Sequence, residues 1–154
     1  MAVTDEMVCF SLYSAARATT QAYRSLLAPW GLTYPQYLVL AILWNEGEQS
    51  ISALGDAMQL DSGTLSPLVR RLEQAGYVAR TRRAGDERVV IVQLTDAGVA
   101  LRAEVAPVHA RVAELAGKAD DEDRRRLIAE LRALTALLHT VADSDDHAPT
   151  TRGR

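Results

Sequence analysis

The chain contains a single cysteine, Cys9, and three tyrosines lie at spacings that bear on its chemistry. Tyr13 is four residues away, so the two side chains share one face of a helix and can touch. Tyr23 is fourteen residues from Cys9, roughly 21 Å along a straight helix at about 1.5 Å per residue. Tyr23 therefore cannot reach the cysteine of its own helix, but an antiparallel two-fold partner would bring its Tyr23 close.

A phenolic O–H that donates to sulfur stabilises the thiolate, which is the form of cysteine that peroxides oxidise. Apolar neighbours, Val8, Phe10 and Leu12, favour an organic peroxide over hydrogen peroxide. A single cysteine excludes an internal disulfide and a cysteine-rich zinc site. The alternative is that Cys9 is an inert hydrophobic residue on an apolar helix face.

A second group of candidate functional residues is basic. Residues 62–94 contain six arginines and three acidic residues, a local net charge of +3 in a chain whose net charge is −3. The acidic overall balance argues weakly against nucleic-acid binding, but the local charge distribution matters more than the total. The alternative, a charged face that is merely solvated, is less favoured because of the elements on which the arginines lie.

Hydrophobic periodicity predicts the helices that position these residues. We expect helices over residues 5–28 and 37–45, the second of them a core helix that begins with a capping box between Thr33 and Gln36. A short helix capped by Ser50 or Ser52 and a second helix ending near residue 75 form a helix-turn-helix. Pro67 fits best if the regular part of that second helix starts near Thr64.

The remaining segments predict a hairpin and two further helices. Residues 77–82 and 89–94 are strand-like and enclose a charged tip at residues 83–88, which indicates a β-hairpin. Thr95 caps the next helix, and the acidic residues 120–123 begin the last one. The last helix carries a seam of apolar side chains, and the tail from residue 143 is predicted to be disordered. The seam consists of Leu127, Leu131, Leu134, Leu138 and Val141.

Together these elements predict a mainly α fold with a small β-hairpin wing, a winged helix-turn-helix. The helix over residues 62–75 is the candidate for the DNA major groove, and the wing is the candidate for the adjacent minor groove or backbone. Asp86 is expected to orient an arginine more than to touch DNA. The candidate DNA-binding residues are Ser62, Gly63, Thr64, Ser66, Arg70, Arg71, Arg82, Arg83, Asp86 and Arg88.

Apolar stripes over residues 105–115 and 127–141 exceed what one small domain can cover, so we expect a homodimer that binds a palindromic operator. The alternative is that these stripes form only intramolecular core. The expected organisation is one domain over residues 1–142. Within it, residues 5–46 and 95–142 form dimerisation helices and residues 47–94 form the DNA-binding lobe, followed by a tail over residues 143–154.

Several segments resemble the MarR family of dimeric bacterial repressors over residues 5–142: DSGTLSP at 61–67, GDER at 85–88 and LTDAG at 94–98. Within that family, CFSLY at 9–13, Tyr23 and YPQY at 34–37 resemble the organic-hydroperoxide-sensing OhrR branch, in its single-cysteine type. The resemblance implies that organic peroxides oxidise Cys9 and that Tyr23 and Tyr34 hydrogen-bond it across the dimer. Tyr13 is added by its spacing, and Tyr37 is expected to be core.

The expected function is that of a repressor of a peroxide-detoxification gene, without cofactor, metal or enzymatic activity. Oxidation of Cys9 to sulfenic acid, then capping by a low-molecular-weight thiol or over-oxidation, releases the operator. We expect a cytoplasmic location, since residues 1–6 do not resemble a signal peptide and no apolar run could span a bilayer. One alternative keeps the fold but has a small aromatic ligand release the DNA. A thiol peroxidase is disfavoured because no second cysteine is present.

Overall fold

The computed structural model describes residues 3–83, 85–115 and 120–145. Within these residues the chain is mainly helical, with one three-stranded antiparallel sheet, which confirms the predicted fold class. It divides into two compact units, Met1–Val112 and Ala113–Arg154. After a 3₁₀ turn at Val3–Glu6 the elements are α1 (Val8–Leu27), a 3₁₀ turn (Ala28–Trp30), α2 (Tyr34–Glu46), β1 (Gln49–Ser50), α3 (Ile51–Met58), α4 (Ser62–Gln74), β2 (Val78–Arg83), β3 (Asp86–Leu94), α5 (Asp96–Leu115) and α6 (Asp121–Asp145).

The predicted capping box begins α2. The Thr33 side chain accepts the backbone N–H of Gln36, while the Thr33 N–H donates to Gln36 Oε1 at 2.8 Å. Pro35 lies in the first turn, where its missing N–H leaves no carbonyl without a partner. The helix packs into the core of the first unit through Val39, Leu40 and Leu43.

The helix-turn-helix consists of α3 and α4. Ser50 caps α3 by accepting the N–H of Ala53 at 3.1 Å. Asp61 caps α4, which begins at Ser62 as predicted for the helix over residues 62–75, and not near Thr64, the start that would suit Pro67 best. Pro67 therefore lies beyond the first turn, where it offers no N–H to the helix.

The sheet has the strand order β1-β3-β2. The sequence did not reveal β1, which is only two residues long and pairs Gln49 with Val92 and Ser50 with Ile91. The expected start of the third strand at residue 89 and the tip over residues 83–88 were wrong. β3 begins at Asp86. A register shift in β2 between Arg82 and Arg83 allows Arg83 to pair with Asp86.

The first turn of α5 is bonded to the segment between α4 and β2. Thr95 caps α5 by accepting the N–H of Gly98 at 3.1 Å, as predicted. The same hydroxyl donates to the carbonyl of Gly76 at 2.6 Å, and the Thr95 N–H donates to the carbonyl of Tyr77 at 3.1 Å. These bonds fix the start of α5 against the segment between α4 and β2.

The two stripes expected to form a dimer interface differ in burial. Val105 and Val108 of α5 are buried in the core of the first unit, so for them the intramolecular alternative holds. On α6, which Asp120 caps, the seam residues Leu127, Leu131 and Leu138 are 37–49% exposed. The side chain of Val141 lies outside the described residues. Within its own unit, the apolar seam of α6 is therefore partly exposed.

The predicted tail overlaps the last helix, because α6 continues to Asp145 and residues 146–154 lie outside the described part of the chain. In the described ranges, no single helix has the length and apolar character to cross a membrane. α1 with its 3₁₀ continuation and α2 reach that length and composition only as a pair bent by 74°.

Candidate redox site and nucleic-acid interface

Cys9 lies in the first turn of α1, and its side chain is exposed. Val8 and Phe10 beside it are exposed as well, so the thiol lies on an apolar surface. Tyr13, one turn along the helix, contacts Arg17: the guanidinium donates to the Tyr13 hydroxyl at 3.2 Å and lies 5.5 Å from its ring centroid. The structure therefore pairs Tyr13 with Arg17 and leaves the thiol open to a molecule that approaches this end of α1.

Tyr23 and Tyr34, both expected to contact Cys9 across a dimer, lie together in one chain. Their rings stack with centroids 4.1 Å apart and planes inclined by 22°. Tyr37, whose ring centroid is 5.7 Å from that of Tyr23, completes an aromatic cluster and is core as expected. Because α1 runs unbroken from Val8 to Leu27, about 21 Å of helix separates Cys9 from Tyr23 in the same chain.

Tyr23 is only 4% exposed, and burial, followed by the neighbouring phenols of Tyr34 and Tyr37, raises its pKa to about 12. The phenol therefore stays protonated near neutral pH and can donate a hydrogen bond. Its hydroxyl lies 3.4 Å from Nδ1 of His109 on α5. Sequence reasoning missed His109. The available signal was its spacing, since it follows the core residue Val105 by one helical turn.

A cavity of about 390 Å³ adjoins this aromatic cluster. Arg102 lies at its wall, where its guanidinium donates to the carbonyl of Trp44 at 2.9 Å and to Oδ1 of Asn45 at 3.1 Å. The combination of flat apolar walls with a cation and an imidazole can accommodate a small planar molecule that carries a negative group. The aromatic and basic lining residues are Tyr23, Tyr34, Tyr37, Trp44, Arg102 and His109.

The start of α4 presents the predicted hydroxyl-rich turn, and its geometry depends on Asp61. The Asp61 carboxylate accepts the backbone N–H of Thr64 at 2.8 Å and the Thr64 hydroxyl at 3.0 Å. These bonds lower the pKa of Asp61, so the cap stays ionised. Ser62, Gly63 and Thr64 are exposed, but the Thr64 hydroxyl already donates to Asp61, so it is held in place.

A groove of about 310 Å³ lies between the starts of α3 and α4 and the wing. Ser62, Ser66 and Arg88 were among the predicted DNA-binding residues, whereas Ser50, Ser52 and Arg80 were not. Ser50 and Ser52 are the two residues predicted as caps of α3. Their position at the start of that helix is the signal that could have indicated them as groove residues. The polar lining residues are Ser50, Ser52, Ser62, Ser66, Arg80 and Arg88.

Arg80 joins the wing to α4. Its Nε and Nη2 donate to Oε2 of Glu73 at 2.9 and 2.6 Å, and its backbone N–H donates to Oε1 at 3.3 Å. The ion pair lowers the pKa of Glu73, chiefly through the hydrogen bond from Arg80. The pair fixes the root of the wing against the helix that precedes it.

The arginines predicted to bind DNA are exposed on α4 and the wing, namely Arg70, Arg71, Arg82, Arg83 and Arg88. Asp86, expected to orient an arginine, accepts the backbone N–H of Arg88 at 3.1 Å, so it shapes the start of β3 through the main chain.

Among the residues that the structure describes, no three His, Cys, Asp or Glu side chains are grouped as a metal site.

Comparisons with known proteins identify the family. The sequence pattern that defines the MarR family matches residues 32–90. The HTH-type transcriptional regulator TtmR of Methylorubrum extorquens (strain PA1) is 45% identical over 142 residues, which cover 92% of this chain and 72% of TtmR. The organic hydroperoxide resistance transcriptional regulator of Bacillus subtilis (strain 168) is 36% identical over 135 residues, covering 88% of this chain and 91% of that protein. The chain belongs to the MarR family.

Solved structures of this family agree. AbfR of Staphylococcus epidermidis, reduced and bound to DNA, is 36% identical to the chain with a TM-score of 0.72, and the match covers 85% of this chain and 93% of AbfR. The predicted resemblance to the MarR family is thus confirmed, and a regulator named for organic hydroperoxide resistance is among the relatives. These relatives are named as transcriptional regulators and not as enzymes, and this chain is a MarR-type transcriptional regulator.

Proposed function

We propose that the protein is a cytoplasmic, DNA-binding repressor that senses organic hydroperoxides through oxidation of Cys9 and then releases its operator. The observation that carries the proposal is the separation of the sensing groups within one chain. The exposed thiol lies at the start of α1, and the stacked pair of Tyr23 and Tyr34 lies near the other end of that helix. A homodimer with antiparallel α1 helices brings each thiol to the tyrosine pair of its partner.

In the reduced state, the phenols of Tyr23 and Tyr34 donate to the thiolate of Cys9 from the partner subunit. Two such donors stabilise the negative sulfur. The exposed apolar residues next to Cys9, Val8 and Phe10, bind the organic part of the hydroperoxide. The sensing site and the dimer interface are then one arrangement, so chemistry at sulfur acts directly on subunit packing.

The oxidation step transfers two electrons from sulfur to the peroxide. The thiolate attacks the terminal peroxide oxygen, an S–O bond forms, the O–O bond breaks, and the alkoxide leaves and takes a proton from water. The products are the sulfenic acid of Cys9 and one alcohol. A low-molecular-weight thiol then condenses with the sulfenic acid to give a mixed disulfide and water, or a second hydroperoxide carries the sulfur on to sulfinic acid.

The DNA-binding half of the proposal rests on the charge and shape of the lobe over residues 47–94. The first turn of α4, with Ser62, Gly63, Thr64 and Ser66, enters the major groove of a palindromic operator, and Arg70 and Arg71 contact bases or phosphates there. The wing arginines, Arg82, Arg83 and Arg88, contact the adjacent minor groove or backbone. Asp86 supports Arg88 through its main chain.

One relative supports the peroxide chemistry that we propose, and a second has been solved overoxidised and still bound to DNA, so we expect operator release chiefly from the thiol-capped form. The Bacillus subtilis relative is named for organic hydroperoxide resistance. AbfR has been solved on DNA both in a reduced and in an overoxidised form, the latter with a TM-score of 0.73 to this chain. With one cysteine in the chain, oxidation here proceeds through capping or over-oxidation and not through a disulfide between two cysteines of one chain.

The proposal is tested with purified dimer, operator DNA in a gel shift, and mass spectrometry of Cys9 after stoichiometric cumene hydroperoxide. The wild type is expected to gain one oxygen or a thiol adduct on Cys9 and to release the DNA. Cys9→Ser is expected to bind DNA equally and to ignore the peroxide. Release of DNA from Cys9→Ser at the same peroxide concentration would contradict the redox switch.

The cavity beside the tyrosine cluster supports a second candidate, release of DNA by a small aromatic ligand, with Cys9 structural. Its aromatic walls and Arg102 suit a benzoate-like molecule. Salicylate is the appropriate probe, and Arg102→Gln the variant that removes the cation. Release by salicylate in the wild type but not in Arg102→Gln, with no response to cumene hydroperoxide, would favour this candidate over the redox switch.

A further inference from the structure

The hydroxyl of Tyr23 has a neighbour that the proposed sensing chemistry does not use. Nδ1 of His109 lies 3.4 Å from it, and the two residues reach each other from α1 and α5 across the first unit. Tyr23 is buried, and its ring is confined by stacking on Tyr34 at 4.1 Å and by Tyr37 at 5.7 Å. Because the ring is held on these sides, the remaining freedom of Tyr23 is the direction in which its O–H points.

A phenol has one proton to donate, and the state of the imidazole determines where that proton goes. If Nδ1 carries no proton, the Tyr23 O–H donates to it and is lost to any other acceptor. If Nδ1 carries a proton, the imidazole donates to the phenol oxygen, and the Tyr23 O–H is free to donate onward. A hydroxyl that accepts one hydrogen bond is also a better donor in a second, because each bond polarises the next.

Resting on the function proposed above, we propose that His109 is a positioning residue of the redox sensor. Its Nδ1–H donates to the hydroxyl of Tyr23 and thereby turns the Tyr23 O–H toward the sulfur of Cys9 from the partner subunit. His109 does not touch the sulfur or the peroxide. It acts through Tyr23 alone, so its contribution must vanish when the Tyr23 hydroxyl is removed.

The test measures the rate of Cys9 oxidation by cumene hydroperoxide in a double-mutant cycle of His109→Leu and Tyr23→Phe. His109→Leu is expected to slow oxidation by about three- to tenfold, the usual worth of one hydrogen bond. In the Tyr23→Phe background the same substitution is expected to change nothing. His109→Asn keeps an N–H donor near the position of Nδ1 and is expected to restore most of the rate. His139→Leu, at an exposed histidine of α6, is the matched control and is expected to oxidise like the wild type.

A second measurement is independent of oxidation. The nitrogen chemical shifts of the His109 imidazole in the reduced wild type are expected to show a protonated Nδ1. An unprotonated Nδ1, an unchanged rate in His109→Leu, or an equal slowing of oxidation by His109→Leu with and without the Tyr23 hydroxyl overturns the inference. A wild-type Cys9 that does not react with the peroxide overturns the proposed function itself, so the two failures are distinguishable.

Discussion

Substituting Gly98 by Ala tests how the first turn of α5 is packed. A Cβ at residue 98 would lie 2.0 Å from the carbonyl oxygen of Tyr77 and 3.0 Å from its carbonyl carbon. Carbon–oxygen contacts normally begin at about 3.3 Å, so the backbone at residue 98 and the backbone at Tyr77 must separate by about 1 Å. The same carbonyl accepts the N–H of Thr95 at 3.1 Å, and that separation breaks the bond.

The expected magnitude follows from three contributions. Overpacking costs about 1–3 kcal/mol, the carbonyl that loses its donor costs about another 1–3 kcal/mol, and alanine in place of glycine in a helix returns about 1 kcal/mol. The net loss in the free energy of unfolding is about 3 kcal/mol. For a chain of this size that corresponds to a decrease in Tm of about 6–12 °C.

Thermal unfolding followed by circular dichroism measures this loss, with Gly63→Ala as the matched control in another helix. A Cβ at residue 63 meets only Oδ1 of Asp61, at 3.0 Å, so the capping carboxylate has to shift by a few tenths of an ångström while no backbone has to move. Gly63→Ala is therefore expected to lower the Tm much less than Gly98→Ala does. If Gly98→Ala unfolds at the same temperature as Gly63→Ala, the close packing of α5 against Tyr77 is refuted.

Three further predictions concern charge, pH and assembly. Arg88→Ala is expected to weaken binding to operator and to random DNA alike and to reduce the salt dependence of log K by about 1, whereas Arg132→Ala on α6 leaves both unchanged. Because the pKa of Tyr23 is raised from 10.0 to about 12, the unfolded state loses this proton first. The contribution of Tyr23 to the free energy of unfolding is therefore fully present below pH 10, and up to about 2–3 kcal/mol of it is lost as the pH rises to 12. Urea titrations at these pH values should show a smaller fall in the free energy of unfolding for Tyr23→Phe than for the wild type. Leu131→Asp on the exposed seam is expected to yield monomers in sedimentation experiments. Ala133→Asp, on the other side of α6, is expected to remain dimeric. If both variants sediment as dimers, an interface at the seam is contradicted.

The features that the sequence predicted correctly depend on residues close together in the chain. The capping box at Thr33 and Gln36 and the cap of α5 at Thr95 are contacts over three residues, so the pattern alone contains them. The separation of Cys9 from Tyr23 follows from helix geometry in the same way. Local rules therefore sufficed for the order of the helices and the two hairpin strands, and for the argument that Cys9 and Tyr23 of one chain cannot meet.

The features that were missed depend on contacts distant in sequence. β1 exists only because Gln49 and Ser50 pair with β3, and two residues carry no strand periodicity of their own. The early start of β3 depends on the register shift beside Arg83, which no propensity reveals. His109 lies on a helix that was predicted correctly, but its contact with Tyr23 requires knowing how α5 packs against α1.

Mixed dimers test the central claim most directly, namely that each thiol is served by the tyrosines of the other chain. One chain carries Cys9→Ser, and its partner carries Tyr23→Phe and Tyr34→Phe. In the arrangement proposed here, the remaining cysteine faces two intact tyrosines, so that cysteine is expected to react with cumene hydroperoxide at the wild-type rate. If it reacts as slowly as the cysteines of the homodimeric tyrosine variant, the sensing groups belong to one chain and the account is contradicted.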